Sequence, residues 1–174
     1  SILGGNVVGQ DDAFAQIGHG GAQATGITTM GDITVSASGG LILTAGAGQS
    51  GGGTNTANYA QIGHGGHDSN GTHGLAAEAI MVTAASVDIN GGTGGTNEAY
   101  AQIGHGGFNA DGAKASKIYV HSTAGAVTVD GGTSGLTYGQ IGHGGANASG
   151  NAEGDVYVIA EGGNLTLTAG VGAN

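Results

Sequence analysis

Six residues, Gln-Ile-Gly-His-Gly-Gly, occur four times in this chain, at Gln16–Gly21, Gln61–Gly66, Gln102–Gly107 and Gln140–Gly145. Copies starting at 16, 61, 102 and 140 are spaced by 45, 41 and 38 residues. An aromatic residue stands two positions before each: Phe14, Tyr59, Tyr100 and Tyr138. A period in this range marks a solenoid, a propeller or another array of stacked units.

Two further runs follow each signature. They are Ile33–Ala37 and Leu41–Ala45, Ile80–Ala84 and Val87–Asn90, Ile118–His121 and Val127–Asp130, then Val156–Ile159 and Leu165–Thr168. All alternate apolar and variable positions and favour β-branched residues, the pattern of half-buried strands. Aligned by unit, they give four apolar columns. These are Ile33/Ile80/Ile118/Val156, Val35/Val82/Val120/Val158, Leu41/Val87/Val127/Leu165 and Leu43/Ile89/Val129/Leu167. Like residues recurring one unit later predict stacked coils about 4.8 Å apart, the spacing of neighbouring strands. The expected fold is all-β, a parallel β-helix forming a single solenoid domain over 1–174. Each repeat supplies about one coil of three strands, for four to five coils in all. The third strand is the signature itself, with Ile17, Ile62, Ile103 and Ile141 facing inward. A model with two shorter coils per repeat ranks lower, because His64–Ala79 shows no second clear strand. Helix is excluded by the missing three-to-four-residue periodicity and by the frequent Gly, each costing about 1 kcal/mol relative to Ala.

Gly makes up 42 of the 174 residues, yet the regular apolar alternation argues for an ordered chain. The net charge is −10, Lys114 and Lys117 are the only basic residues apart from His, and there is no Arg. Such a surface cannot neutralise phosphates, so nucleic acid is not an expected partner. No apolar run reaches the length of a membrane-spanning helix. Cys is absent, which removes disulfide and thiol chemistry. Corners such as Ala47–Asn58, and the polar stretches after each His-Gly-Gly, can vary in length without disturbing the strands.

Three columns could carry chemistry. His19, His64, His105 and His143 would form a ladder. The first reading is structural, each His bonding the next coil or the Gly-rich turn; the second is a Zn, Ni or Cu site. Gln16, Gln61, Gln102 and Gln140 would stack as an amide ladder. They share the parity of Phe14, Tyr59, Tyr100 and Tyr138. With Ile inward, Gln and the aromatic residues are expected to face outward, either stabilising the ladder or offering a platform for glycans. No calcium-binding β-roll or EF-hand pattern is present, the isolated Asp11–Asp12 pair reads as solvated, and no cofactor is expected beyond adventitious Ca at turn carboxylates. The acids are scattered and differ between units, and neither a nucleophile elbow nor a phosphate-binding loop occurs, so catalysis is not expected. The outward Thr positions are too irregular for an ice-binding face.

The runs Gly31–Ala37 (Gly-Asp-Ile-Thr-Val-Ser-Ala) and Asn164–Gly170 (Asn-Leu-Thr-Leu-Thr-Ala-Gly), with the signature strands, resemble the repeats of filamentous-haemagglutinin-like exoproteins. These are large bacterial adhesins of the two-partner secretion type. The resemblance covers nearly the whole chain, although the family's amino-terminal secretion domain is not in it. It implies a right-handed β-helical shaft, an extracellular place at the bacterial cell surface, and a role in attachment or biofilm. Expected partners are further coils end to end, of itself or of a parent chain, and cell-surface glycans or receptors. Stacked end to end, the units would make a fibre one coil thick.

Overall fold

The computed structural model describes residues 1–5, 12–47, 57–93, 98–133 and 135–171. Asp11, Gly94–Gly95 and most of the corner between Ala47 and Asn58 lie outside the described residues. Among the described residues there is no helix. A short strand, β1 (Ile2–Leu3), comes first. The first coil is then β2 (Ala15–Ile17), β3 (Ile27–Thr29), β4 (Ile33–Ser36) and β5 (Leu41–Thr44). The second is β6 (Ala60–Ile62), β7 (Gly71–His73), β8 (Ala79–Ala84) and β9 (Val87–Asn90). The third is β10 (Tyr100–Ile103), β11 (Lys114–Ala115), β12 (Lys117–Ser122) and β13 (Val127–Asp130). The fourth is β14 (Tyr138–Ile141), β15 (Ala152–Glu153), β16 (Val156–Ala160) and β17 (Leu165–Thr168).

Every strand pairs in parallel with its equivalent in the neighbouring coil. The chain is a parallel β-solenoid of four coils, one per repeat. The register matches the sequence columns: Ile33 lies against Ile80, Ile80 against Ile118, and Ile118 against Val156. In the neighbouring sheet Leu41 lies against Val87, Val87 against Val127, and Val127 against Leu165. A slip of one residue would turn each apolar set to the other face, so the alternation itself specifies this register.

The structure has one sheet more than the sequence suggests. β3, β7, β11 and β15 form a fourth sheet, inside the half-unit that shows no clear strand in the sequence. Its strands are two or three residues long and have no apolar column.

Two cores result. The lumen holds Leu43, Ile62, Ile80, Val82, Val87, Ile89, Ile103, Ile118 and Val120, all buried. Each such side chain contributes roughly 1.5–3 kcal/mol through burial. A second, smaller core lies on the other side of the signature strands and contains Ala57, Tyr59, Tyr100 and Phe108.

Tight corners also repeat from coil to coil. Asp12, Ala57, Glu98 and Leu136 all have positive φ, as do Gln23, Asp68, Asn109 and Asn147. Asp and Asn adopt this conformation readily, whereas at Ala57 and Leu136 it costs roughly 1–3 kcal/mol.

Candidate functional site

The signature strand separates the two cores. Ile62 and Ile103 point into the lumen, while Tyr59, Tyr100, Gln61 and Gln102 point the other way and are fully buried. The expected outward orientation of the Gln and aromatic columns is therefore corrected. The parity was right, but the far side of the strand is not solvent. After each His-Gly-Gly the chain turns back, so that residues such as Phe108 cover the ring column. The rings of Phe14, Tyr59, Tyr100 and Tyr138 stack face to face at 4.7, 4.8 and 5.0 Å. With Tyr59 and Tyr100 at 0% exposure, those two rings offer no platform to a glycan, whereas Phe14 in the first coil is 42% exposed.

The amide ladder also differs from expectation. Gln61 Nε2 donates to Gly104 O at 3.0 Å and Gly106 O at 2.7 Å, both in the signature turn of the next coil. Gln16 bonds Gly63 O and Gly65 O in the same way, and Gln102 bonds Gly142 O and Gly144 O. The amides thus tie a side chain to the next turn's backbone instead of bonding one another. The turn presents two carbonyls at that point, and these compete successfully for the amide protons.

The His column is built on one repeated bond. His19 N donates to His64 Nδ1 at 3.0 Å, His64 N to His105 Nδ1 at 2.9 Å, and His105 N to His143 Nδ1 at 3.0 Å. A backbone N–H can only donate, so each of these Nδ1 atoms is an acceptor and carries no proton. The neutral ring then holds its proton on Nε2, which in His64 faces Gly31 O at 3.0 Å and in His143 faces Ser116 O at 3.0 Å. The rings stack at 5.1, 4.8 and 5.0 Å. This is the structural reading of the four histidines, in which each bonds the adjoining coil. Burial pushes the imidazoles of His64, His105 and His143 towards the neutral form, His105 down to about 2. A metal at Nδ1 would first have to displace the backbone bond. Among the described residues no group of three or more His, Asp or Glu is placed to hold a metal ion.

No protein-family model matches the chain, and searches of curated proteins and of solved structures return no match. The resemblance to filamentous-haemagglutinin-like repeats therefore rests on the residues that carry it.

The fourth sheet adds polar residues that the sequence did not single out. In register, Thr29, His73 and Lys114 form one column, and all three are buried. His73 lies 3.0 Å from Thr29 Oγ1 and 3.3 Å from Ser69 Oγ. Burial lowers its imidazole to about 4, with Lys114 and His64 adding to the effect. Lys114 Nζ donates to the carbonyls of Ala110, Gly112 and Ser149 at 2.7, 2.8 and 2.7 Å, which uses all three ammonium protons. Burial lowers its pKa, and Asp111 works in the opposite direction. One of only two Lys in the chain, falling inside a repeat, was the available signal. Nothing in its neighbours marked the position as buried.

The hydroxyls of Tyr59, Tyr100 and Tyr138 make no well-formed hydrogen bond in the second core. Burial raises the pKa of all three phenols. The ring is what the column uses, and Phe14 already fills it in the first coil. Tyr100→Phe should therefore change stability by less than about 1 kcal/mol in urea denaturation. A loss above about 2 kcal/mol would show that the hydroxyl holds the turn.

Proposed function

We propose that this chain is a structural shaft: a β-solenoid segment of an extracellular filament or adhesin at the bacterial cell surface, without catalysis. The observation that carries this reading is how the recurring polar residues are used. Gln61, Gln102, His64 and His105, the side chains best suited to bind or react, are buried and bonded to the adjoining coil's backbone. A repeat that commits these groups to its own stacking supplies length and stiffness. The faces left to solvent differ from coil to coil, as along Thr34, Met81, Tyr119 and Tyr157. Any attachment to glycans or receptors then belongs to those outward positions or to the corners, and not to the signature column.

Immunogold electron microscopy of the producing cells, with antibodies raised against the folded chain, tests the proposal. Label along surface fibres is expected. Label confined to the cytoplasm would contradict it.

A further inference from the structure

Tyr119 and Tyr157 are direct partners in the parallel ladder of β12 and β16. Their neighbours Ile118 and Val120 are buried in the lumen, so strand alternation turns both Tyr outward. They are 37% and 46% exposed. Their rings stack at 4.9 Å with 5° between the planes. Tyr157 Oη donates to Asp155 Oδ2 at 3.2 Å. No other step in this column pairs two Tyr: Thr34 meets Met81, and Met81 meets Tyr119. The chain's three remaining Tyr supply a contrast within the molecule. Tyr59, Tyr100 and Tyr138 stack at nearly the same distances, 4.8 and 5.0 Å. Their hydroxyls are buried and make no well-formed hydrogen bond. A phenol gives up an electron readily only as its proton leaves, because a buried positive charge without a partner is costly. In the buried column neither an oxidant nor a proton acceptor reaches the oxygen. At Tyr119 and Tyr157 solvent reaches both rings, and a carboxylate already holds one of the two protons.

The geometry points to Tyr119 and Tyr157 as an oxidative modification site, where a one-electron oxidant joins the two rings through a carbon–carbon bond and locks the third coil to the fourth. Each ring loses one electron and its phenolic proton and becomes a neutral phenoxyl radical. The Tyr157 proton moves to Asp155 Oδ2, and the Tyr119 proton goes to water. Unpaired density in each radical reaches the ring carbons beside the oxygen, and one such Cε from each ring forms the new bond. The hydrogens on those two carbons then shift to the oxygens, which restores two aromatic phenols. A peroxidase turning over hydrogen peroxide takes up the two electrons and two protons, and the peroxide leaves as two waters. The ladder supplies proximity: backbones fixed in register keep the second ring beside the first, so coupling within the chain outruns encounter between dilute chains. Both rings stand on an open face, which leaves them room to tilt from stacking distance into bonding contact. The bond closes a loop of 38 residues (157 − 119). A cross-link of this kind stabilises chiefly by restricting the unfolded chain. The inference does not rest on the shaft reading.

Treatment of the full chain at low concentration with a peroxidase and hydrogen peroxide tests the inference. Dityrosine fluorescence should appear in protein that has not gained a second chain, with an intact mass lower by two hydrogens. Tandem mass spectrometry of the digest should place the cross-link between Tyr119 and Tyr157, and the treated protein should melt at a higher Tm than the untreated. Tyr119→Phe and Tyr157→Phe, each removing one hydroxyl from an exposed ring, should lose the fluorescence, whereas Tyr100→Phe should keep it. Circular dichroism checks that the variants hold the β-sheet fold, and if one does not, the cross-link map of the wild type still decides. Folded wild type that yields no dityrosine would overturn the inference. So would a yield unchanged in Tyr119→Phe, or cross-links found solely between chains or within the buried column. None of these results would touch the shaft reading, which is tested by surface labelling.

Discussion

Gly104→Ala is expected to cost about 4 kcal/mol or more, a large part of the stability of a domain this size. A Cβ on Gly104 would lie 1.9 Å from Gly142 O, and one on Gly63 would lie 1.8 Å from Gly104 O. Both obstacles are backbone atoms of the next coil. The chain cannot move aside, because the ladder fixes it on both sides: Gly104 N bonds Ile62 O, and Gly142 N bonds Ile103 O. The φ of 152° at Gly104 adds strain for any L side chain. Gly142 supplies the internal control. It has the same φ of 152°, but its nearest atom to an added Cβ is Gln140 Nε2 at 3.2 Å, since among the described residues no coil lies beyond it. Gly142→Ala should therefore cost only the backbone strain, about 1–3 kcal/mol. Urea denaturation of the two variants at low concentration makes the comparison. Equal, small losses would mean that the coils are not stacked this closely.

The second large effect is acid destabilisation that begins near neutral pH. Burial holds His64, His73, His105 and His143 below their ordinary value of 6.5, with His73 at about 4 and His105 at about 2. These groups are neutral in the folded chain and titrate near 6.5 once unfolded. Below that pH the unfolded state binds more protons, so stability falls as pH falls. The contribution is fully present above about pH 7 and is lost progressively as pH drops through 6.5 towards each folded value. Each fully buried ring removes about 1.4 kcal/mol per pH unit in that window. His73 and His105 act together down to about pH 4, and His105 continues below it. Thermal melts at pH 7.5, 6, 5 and 4 should show Tm falling steadily, with a smaller slope in His73→Asn. A Tm that is flat from pH 7 to 5 would mean that these rings are already charged or exposed.

Much of the fold was legible in the sequence because the lumen is made from repeated apolar columns, and these state their own register. Ile80 against Ile118 and Val87 against Val127 could be read by aligning units. The fourth sheet could not. Its inward column is Thr29, His73 and Lys114, three polar residues of unlike chemistry, on strands too short to show alternation. The second core was hidden for a related reason. Parity showed that Tyr59 and Gln61 oppose Ile62, but not that another part of the coil lies over them. The covering positions are Ala22, His67, Phe108 and Ala146, and they share no type that marks a core. The role of the four signature histidines was legible in kind, as a bond to the adjoining coil, but not in detail. Which nitrogen accepts, and from which N–H, depends on backbone geometry that residue spacing does not specify.

The account's central claim is that the signature residues join successive coils in register, and the His ladder tests it most directly. In protein labelled with nitrogen-15 at His, scalar coupling across the hydrogen bond should connect His64 N to His105 Nδ1 and His105 N to His143 Nδ1. Those Nδ1 resonances should be unprotonated at neutral pH, and that of His105 should remain so well below pH 6. Protonated Nδ1 atoms, or imidazoles that titrate together near 6.5 in the folded protein, would contradict the stacked ladder and the solenoid register built on it.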